Sequence, residues 1–380
     1  MSSRPRPDDD LIAWLQLARC DGVGPITFAS LLERHRGVAA ALRAARQHPL
    51  PDGSLRRVPE RAALLAEIEA LAAFEGRMLI QSAADYPRQI RVLPDAPPVI
   101  CIRGDPALLH QPAVSIVGAR NASANGCAFA RKLGRELAQA GLVVISGLAR
   151  GIDTAAHEGA LAGAGATIAV IAAGVDVAYP PENAALMERI ALEGAVVSER
   201  PLGATARAKD FPRRNRVIAG LSLGVVVVEA APASGSLITA RLALEYGREV
   251  MAVPGSPMDP RHRGTNQLLR DGAHLVECAD DVLAVLAPLL QRGEPPAPRS
   301  KRVRRAPQPR LPSAAVDPPP RVESLADRVI RALGPEPLAV DELIRECDAA
   351  SPDVQAALLE LELAGRVDRQ PGNRVCLRAG

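Results

Sequence analysis

Residues 99–276 predict a doubly wound, mostly parallel α/β sheet, on three observations. Strand-like and helix-like stretches alternate along the whole segment, the pattern of helices crossing over a parallel sheet. Val225–Val228 is an uninterrupted β-branched run, as expected of a central strand covered on both faces. Glycine- and serine-rich loops succeed the strand-like runs, on the edge where such sheets place their ligand crevice.

Taken in order, residues 1–10 carry no regular pattern and are expected to form a disordered tail. From 11 to 75 the apolar spacing, clearest in Leu11-Ile-Ala-Trp-Leu-Gln-Leu17, predicts a small helical domain. Inside it, Asp21-Gly-Val-Gly-Pro25, then Phe28 and Leu31-Leu32, resembles a helix-hairpin-helix turn. Its glycines permit a tight hairpin whose amides can face a phosphate. An ordinary helix–helix corner fits the same residues, and a docking domain is the preferred reading.

A boundary falls between Phe74 and Asp95, where Tyr86-Pro87 and Pro94-Asp-Ala-Pro-Pro98 interrupt regularity. Within the α/β domain of 76–288, strand-like runs are Val99–Ile102, Val114–Val117, Leu142–Ile145, Thr167–Ala172, Val196–Ser198, Gly224–Glu229, Val250–Val253 and His274–Val276. They suggest seven or eight strands. Helical stretches between them include Ala122–Ala140, Asp153–Ala162, Pro181–Glu193, Ser236–Tyr246 and Thr265–Asp271.

Residues 289–322 turn proline- and arginine-rich, which reads as a flexible linker. Residues 323–380 then give three short helices and a two-stranded wing around Pro371-Gly-Asn373, a winged-helix pattern. The third helix carries Asp353, Glu360 and Glu362 and no Lys or Arg. Such a helix meets repulsion at duplex DNA, so a protein-interaction or DNA-peripheral role is favoured.

Bulk properties narrow the function. Net charge over 380 residues is only +3, with 48% hydrophobic residues, so any affinity for polyanions must come from a local patch. The six cysteines are scattered without a CxxC pair, which argues for reduced thiols and against a metal site. With no apolar leader at the N-terminus and no apolar run of membrane-spanning length, the expectation is a cytoplasmic protein without membrane contact, metal or cofactor. A dinucleotide enzyme does not fit, because the loop Gly118–Gly126 lacks GxGxxG and the second strand ends in Ser146-Gly147 rather than an acid. GxxxxGK[ST] is also missing. A nucleotide-processing hydrolase stays open as the alternative, since Asp153 and His157 stand four apart near Ser146, with Glu229 and Glu245 available.

The segment Lys209-Asp-Phe-Pro-Arg-Arg-Asn-Arg-Val-Ile-Ala-Gly220 sets one ring, Phe211, among Lys209, Arg213, Arg214 and Arg216. Aromatics make up only 2% of the chain. A cationic groove with a ring to stack on is what single-stranded nucleic acid needs. A helix start with solvated arginines and a core Phe is the plainer reading of the same residues.

Four ordered motifs carry a family resemblance: Ser146-Gly-Leu-Ala-Arg-Gly-Ile-Asp-Thr-Ala-Ala-His157, Phe211-Pro-Arg-Arg-Asn-Arg-Val-Ile-Ala-Gly-Leu221, Ser234-Gly-Ser-Leu-Ile-Thr-Ala240 and Gly247-Arg-Glu-Val with Val253-Pro-Gly-Ser256. With them the chain resembles the DNA-processing protein A (DprA, or Smf) family of bacterial natural transformation. The resemblance implies an extended Rossmann-like fold and a homodimer. It also implies a non-enzymatic protein that binds and shields incoming single-stranded DNA and helps load the RecA recombinase. Carried over by motif, the DNA-binding residues would be Gly118, Arg120, Ser146, Gly147, Lys209, Phe211, Arg213, Arg214, Asn215 and Arg216. Where members place Lys after the Tyr-Pro pair this chain has Pro181, and Lys209 or Arg207 would stand in.

Overall fold

The computed structural model describes residues 7–50, 54–163, 165–292, 325–333, 337–347, 349, 351–363, 366–370 and 374–377. The expected linker lies almost wholly outside them, as do the first six residues of the expected tail and the wing turn at 371–373.

Four helices come first: α1 (Pro7–Ala18), α2 (Pro25–Arg34), α3 (Val38–Gln47) and α4 (Arg61–Ala73). Helix α1 begins four residues before the expected start at Leu11. Pro7 suits a first helical position. The helices close on a core that includes Trp14, Leu15, Phe28 and Leu42. The rings of Trp14 and Phe28 lie 5.0 Å apart at a tilt of 57°.

The chain continues through β1 (Gly76–Ile80), α5 (Arg88–Arg91), β2 (Val99–Gly104), β3 (Ala113–Val117), α6 (Ala124–Gln139), β4 (Val143–Ser146), α7 (Ile152–Ala162), β5 (Thr167–Ile171), α8 (Ala184–Glu193) and β6 (Ala195–Ser198). It then forms α9 (Asp210–Leu221), β7 (Gly224–Val227), α10 (Gly235–Glu245), β8 (Glu249–Ala252), α11 (Arg263–Arg270), β9 (His274–Leu275) and α12 (Ala279–Arg292). All nine strands belong to one sheet, in the order β1-β2-β6-β5-β4-β3-β7-β8-β9. Strands β6 to β9 in that order are parallel, while β2 runs antiparallel to β6 and β1 antiparallel to β2.

The extra strand is β1, inside the stretch read from sequence as an irregular boundary. It is an edge strand with only Leu79 buried, so it shows neither a long apolar run nor a clean alternation. One face of the sheet packs under α5, α9 and α10 through residues such as Tyr86, Ile90, Val217, Ile218 and Ala240. The other packs under α6, α7 and α12 through Leu133, Leu137, Ala156 and Val282.

The C-terminal module comprises α13 (Leu325–Ala332), β10 (Leu338–Ala339), α14 (Val340–Glu346), α15 (Ser351–Leu363), β11 (Val367–Gln370) and β12 (Arg374–Leu377). Its antiparallel sheet has the order β10-β12-β11. Asp353, Glu360 and Glu362 on α15 are exposed, and Glu362 accepts from Arg369 of β11 at 3.1 Å. The module leans on the α/β domain through Arg261, which donates to the carbonyls of Arg331 and Leu333.

Helices α6 and α7 approach each other with almost no side-chain spacing. A Cβ on Gly159 would stand 2.0 Å from the Arg131 carbonyl oxygen, and one on Gly134 would stand 2.5 Å from that of Ala156. Backbone meets backbone there, and neither helix yields without leaving the sheet. Gly159→Ala is expected to cost about 1–3 kcal/mol, lowering the thermal midpoint by several degrees. Gly235→Ala, with nothing within 4 Å of its Cβ, is the matched control and is expected to leave the midpoint in place; differential scanning calorimetry of the two variants decides.

Candidate nucleic-acid interface

Parallel sheets of this kind open a crevice where the strand order reverses, here between β3 and β7. That crevice keeps a cavity of about 310 Å³, with Ser123, Glu229 and His262 in its lining. Glu229, fully buried after β7, accepts from the Ser123 amide at 2.9 Å and from the Ser123 hydroxyl at 2.5 Å. The exposed basic surface lies to one side, over the carboxyl ends of β3 to β6 and the start of α9.

Phe211, in the first turn of α9, is its centre. The Arg120 guanidinium lies 4.8 Å from the Phe211 ring centroid, a cation–π distance. On the same ring, Tyr179 approaches with centroids 5.5 Å apart at a tilt of 55°. Three loops therefore meet at one half-buried ring. Arg120 and Tyr179 at the ring are exposed, as are Arg207, Lys209 and Arg213 on either side of Phe211 in the chain. Asp210 beside them is buried, and its carboxylate accepts from the Arg207 amide at 3.2 Å, holding the approach loop to the helix start.

Several residues expected at this surface lie beneath it. Ser146 is fully buried and donates to the Ile116 carbonyl at 2.6 Å. Gly147 is buried, and its amide donates to Asp153 at 3.1 Å. A Cβ there would collide with the Arg214 guanidinium at 1.7 Å. Gly118 is spent on close packing as well, since a Cβ would meet Ile152 at 2.6 Å. Ser146 and Gly147 thus support the loop from within, and Gly118 lies packed on Ile152.

The arginines of α9 divide by depth. Arg213 is exposed. Arg214 is buried, donates to the Val170 carbonyl at 2.8 Å, and stands 6.0 Å from the Phe211 ring centroid. Burial pulls its guanidinium down to about 10, against the opposing charge of Asp153, so it stays cationic at neutral pH. Asn215 donates to the Gly235 carbonyl at 3.2 Å. Arg216 is buried in an ion pair with Glu199 and also donates to the Asp95 carbonyl. Asn215 and Arg216 consequently hold the helix in place, and their placement removes them from the accessible cationic surface.

Sequence reasoning missed Tyr179 as an aromatic partner. Its signal was Tyr179-Pro180 at the end of a strand loop, which Asn183 ties to the neighbouring loop by donating to the Leu148 carbonyl and the Thr154 hydroxyl. Pro181 is exposed and succeeded by Glu182, which pairs with Arg150. At that corner the Arg150 cation is paired with Glu182, while Lys209 and Arg207, named from sequence as stand-ins, are exposed.

The Asp153–His157 pair does not assemble a hydrolytic centre. His157 is fully buried and its Nδ1 lies 2.7 Å from the Thr167 hydroxyl, which donates onward to the Val144 carbonyl. Asp153, also buried, accepts from the amides of Gly147 and Ala149. With Ser146 donating into the strands, all three side chains are closed to a substrate. Among the described residues, no group of three or more His, Cys, Asp and Glu side chains is placed to hold a metal ion. No helix there is long and apolar enough to cross a membrane.

Comparison with known proteins agrees with this architecture. A family model described as DNA recombination-mediator protein A matches residues 77–287. A DprA-like N-terminal HHH domain model matches 8–70, and a DprA winged helix domain model matches 312–373. Protein Smf of Synechocystis sp. is 33% identical, across 95% of this chain and 97% of its own. The X-ray structure of DNA processing protein A from Streptococcus pneumoniae superposes with a TM-score of 0.62 at 34% identity, covering 72% of this chain and 96% of that one. The Helicobacter pylori DNA processing protein A, solved for its single-stranded DNA binding mode, gives 0.51 at 30% identity over 56% of this chain and 96% of its own.

His157 makes the buried layer sensitive to acid. Burial and the nearby Arg214 pull its imidazole from 6.5 down to about 3. The folded protein therefore binds fewer protons than the unfolded chain between these values. Stability from a neutral His157 is complete above about 6.5 and is lost as pH falls toward 3, at up to about 1 kcal/mol per pH unit. Urea midpoints measured from pH 7 to pH 4.5 are expected to fall more steeply for the wild type than for His157→Gln; parallel curves would refute the assignment.

Proposed function

Since the chain belongs to the DNA-processing protein A (DprA/Smf) family, we propose that it is a single-stranded-DNA-binding recombination mediator and carries out no chemistry on the strand. One observation carries this reading: the Phe211 ring, clasped by Arg120 and Tyr179, in a chain segment whose Arg207, Lys209 and Arg213 are exposed. A base stacks on an aromatic face without regard to sequence, and the surrounding cations take successive phosphates. Duplex DNA keeps its bases stacked inside and offers this ring nothing. The site therefore discriminates by strandedness. Arg120 would serve twice, holding the ring in place and facing a phosphate. Lys209 and Arg213 would supply counter-charge, while Arg214 beneath adds positive potential without direct contact.

The finer parts of the proposal come from family membership. The protein would act as a homodimer in the cytoplasm, shield DNA taken up during natural transformation and help load RecA onto it. The hydrolase alternative is disfavoured, because the groups it needs are buried and already hydrogen-bonded.

Fluorescence anisotropy with labelled oligo-dT and its duplex, titrated in salt, tests the site. Arg120→Ala and Lys209→Ala are each expected to weaken single-strand binding and to lower the salt slope by about one. Phe211→Ala is expected to cost about 1–3 kcal/mol with the slope retained. Unchanged binding in all three variants refutes the site. For the finer role, the protein is expected to speed RecA filament formation on DNA coated with single-strand-binding protein, and Arg120→Ala is expected to abolish that gain. An unaccelerated RecA would restrict the function to binding.

A further inference from the structure

The chain has four Phe, three Tyr and one Trp, and of these only Tyr179 is exposed. It stands 45% exposed in the loop between β5 and α8, with its ring against Phe211. An aromatic side chain left nearly half in water forgoes burial that such residues normally gain. The loop that holds it there is fixed at both ends. Its Gly174 amide donates to the Ala204 carbonyl at 2.8 Å, and Asp176 accepts from the Gly203 amide at 2.8 Å, which ties it to the segment leading into α9. At the other end Asn183, buried, donates to the Leu148 carbonyl at 2.9 Å and to the Thr154 hydroxyl at 2.8 Å. Tyr179 is therefore an exposed ring on a pinned loop, and a ring fixed in advance loses little freedom when a ligand settles on it. Glu182 in the same loop is paired with Arg150, so its charge is answered before a phosphate approaches.

The two rings do not form one platform. Their planes are inclined by 55° and their centroids are 5.5 Å apart, so a base lying flat on one cannot lie flat on the other. The spacing also exceeds the rise of about 3.4 Å per nucleotide in a stacked strand. Two neighbouring bases fit the pair only when splayed from each other, each on its own ring, as successive bases lie on successive aromatic side chains.

We infer that Tyr179 is a second stacking position, holding the base next to the one at Phe211, so that the site takes two successive, mutually unstacked nucleotides of a single strand. This second position rests on the Phe211 surface being the strand-binding site. Arg120, exposed and over the Phe211 ring, then meets the phosphate that joins the two nucleotides. A strand whose bases stay stacked on each other satisfies one ring at most.

Fluorescence anisotropy of the full chain with labelled oligo-dT, titrated in salt, tests the assignment. Tyr179→Leu keeps an apolar side chain against Phe211 and removes the ring; it is expected to weaken binding roughly tenfold with the salt slope retained, since stacking neutralises no phosphate. Tyr179→Phe is expected to restore the affinity. A Tyr179 that only covered Phe211 would have nothing left to do once that ring is gone. The same substitution is therefore made in Phe211→Leu, where a further loss of roughly tenfold is expected. A strand in which every second nucleotide is abasic offers the pair one base at a time. The wild type is expected to prefer oligo-dT over that strand roughly tenfold, and Tyr179→Leu to bind the two alike. The assignment is overturned if Tyr179→Leu binds oligo-dT like the wild type, if its effect vanishes in the Phe211→Leu background, or if it keeps the wild-type preference between the strands. If Phe211→Leu and Arg120→Ala weaken binding and Tyr179→Leu does not, only the second stacking position falls. If none of the three weakens it, the Phe211 surface falls as well.

Discussion

The organisation of the strand-end surface depends on one guanidinium held inside the protein. Arg214 reaches under the loop after β4 and donates to the Val170 carbonyl, with the Asp153 carboxylate as its compensating charge. An unpaired charge in that position is expensive, so its surroundings are tightly specified. Gly147 must have no side chain, because the guanidinium occupies the place of its Cβ. Asp153 must gather the amides of Gly147 and Ala149, which shapes the loop around the arginine. With α9 anchored this way, Phe211 comes to the edge where Arg120 and Tyr179 stand.

Much of this was legible in the chain. The β-branched and apolar runs located eight of the nine strands of the large sheet, because parallel strands covered on both faces leave a continuous apolar signature. β1 escaped because it is an edge strand, and Gly76-Arg-Met-Leu-Ile80 buries one side chain of five. The site was legible as a segment but not in depth. Arg213, Arg214 and Arg216 read alike in sequence, yet only the first is exposed. The first turn of α9 projects past the sheet edge while the second lies over it, so burial there tracks the tertiary contact and not the helical period. The internal contacts of Ser146 and Gly147 were not legible for a related reason: a Gly-Ser loop at a helix start looks the same whether its amides face a phosphate or a carboxylate of the same chain.

Charge is managed locally throughout. A net of +3 over 380 residues leaves no long-range field, and several cations away from the ring are paired with neighbours, as in Arg103–Glu188, Arg131–Glu158 and Arg150–Glu182. What distinguishes the Phe211 region is a set of exposed basic side chains gathered at an aromatic ring. The winged-helix module shows the opposite pattern, with an acidic α15 partly neutralised by its own wing strand.

Glu199, at the end of β6, receives two arginines from different parts of the chain. Arg19 of the N-terminal helices donates to its carbonyl at 3.0 Å, and Arg216 of α9 pairs with its carboxylate. Trp14 adds a bond to the Pro98 carbonyl at 2.7 Å. Local opening in proteins proceeds by contiguous cooperative units rather than by domain boundaries drawn on a sequence. Through Glu199 the hairpin helices and the start of α9 belong to one such unit. Amide protons of both segments should therefore exchange with solvent by a common opening.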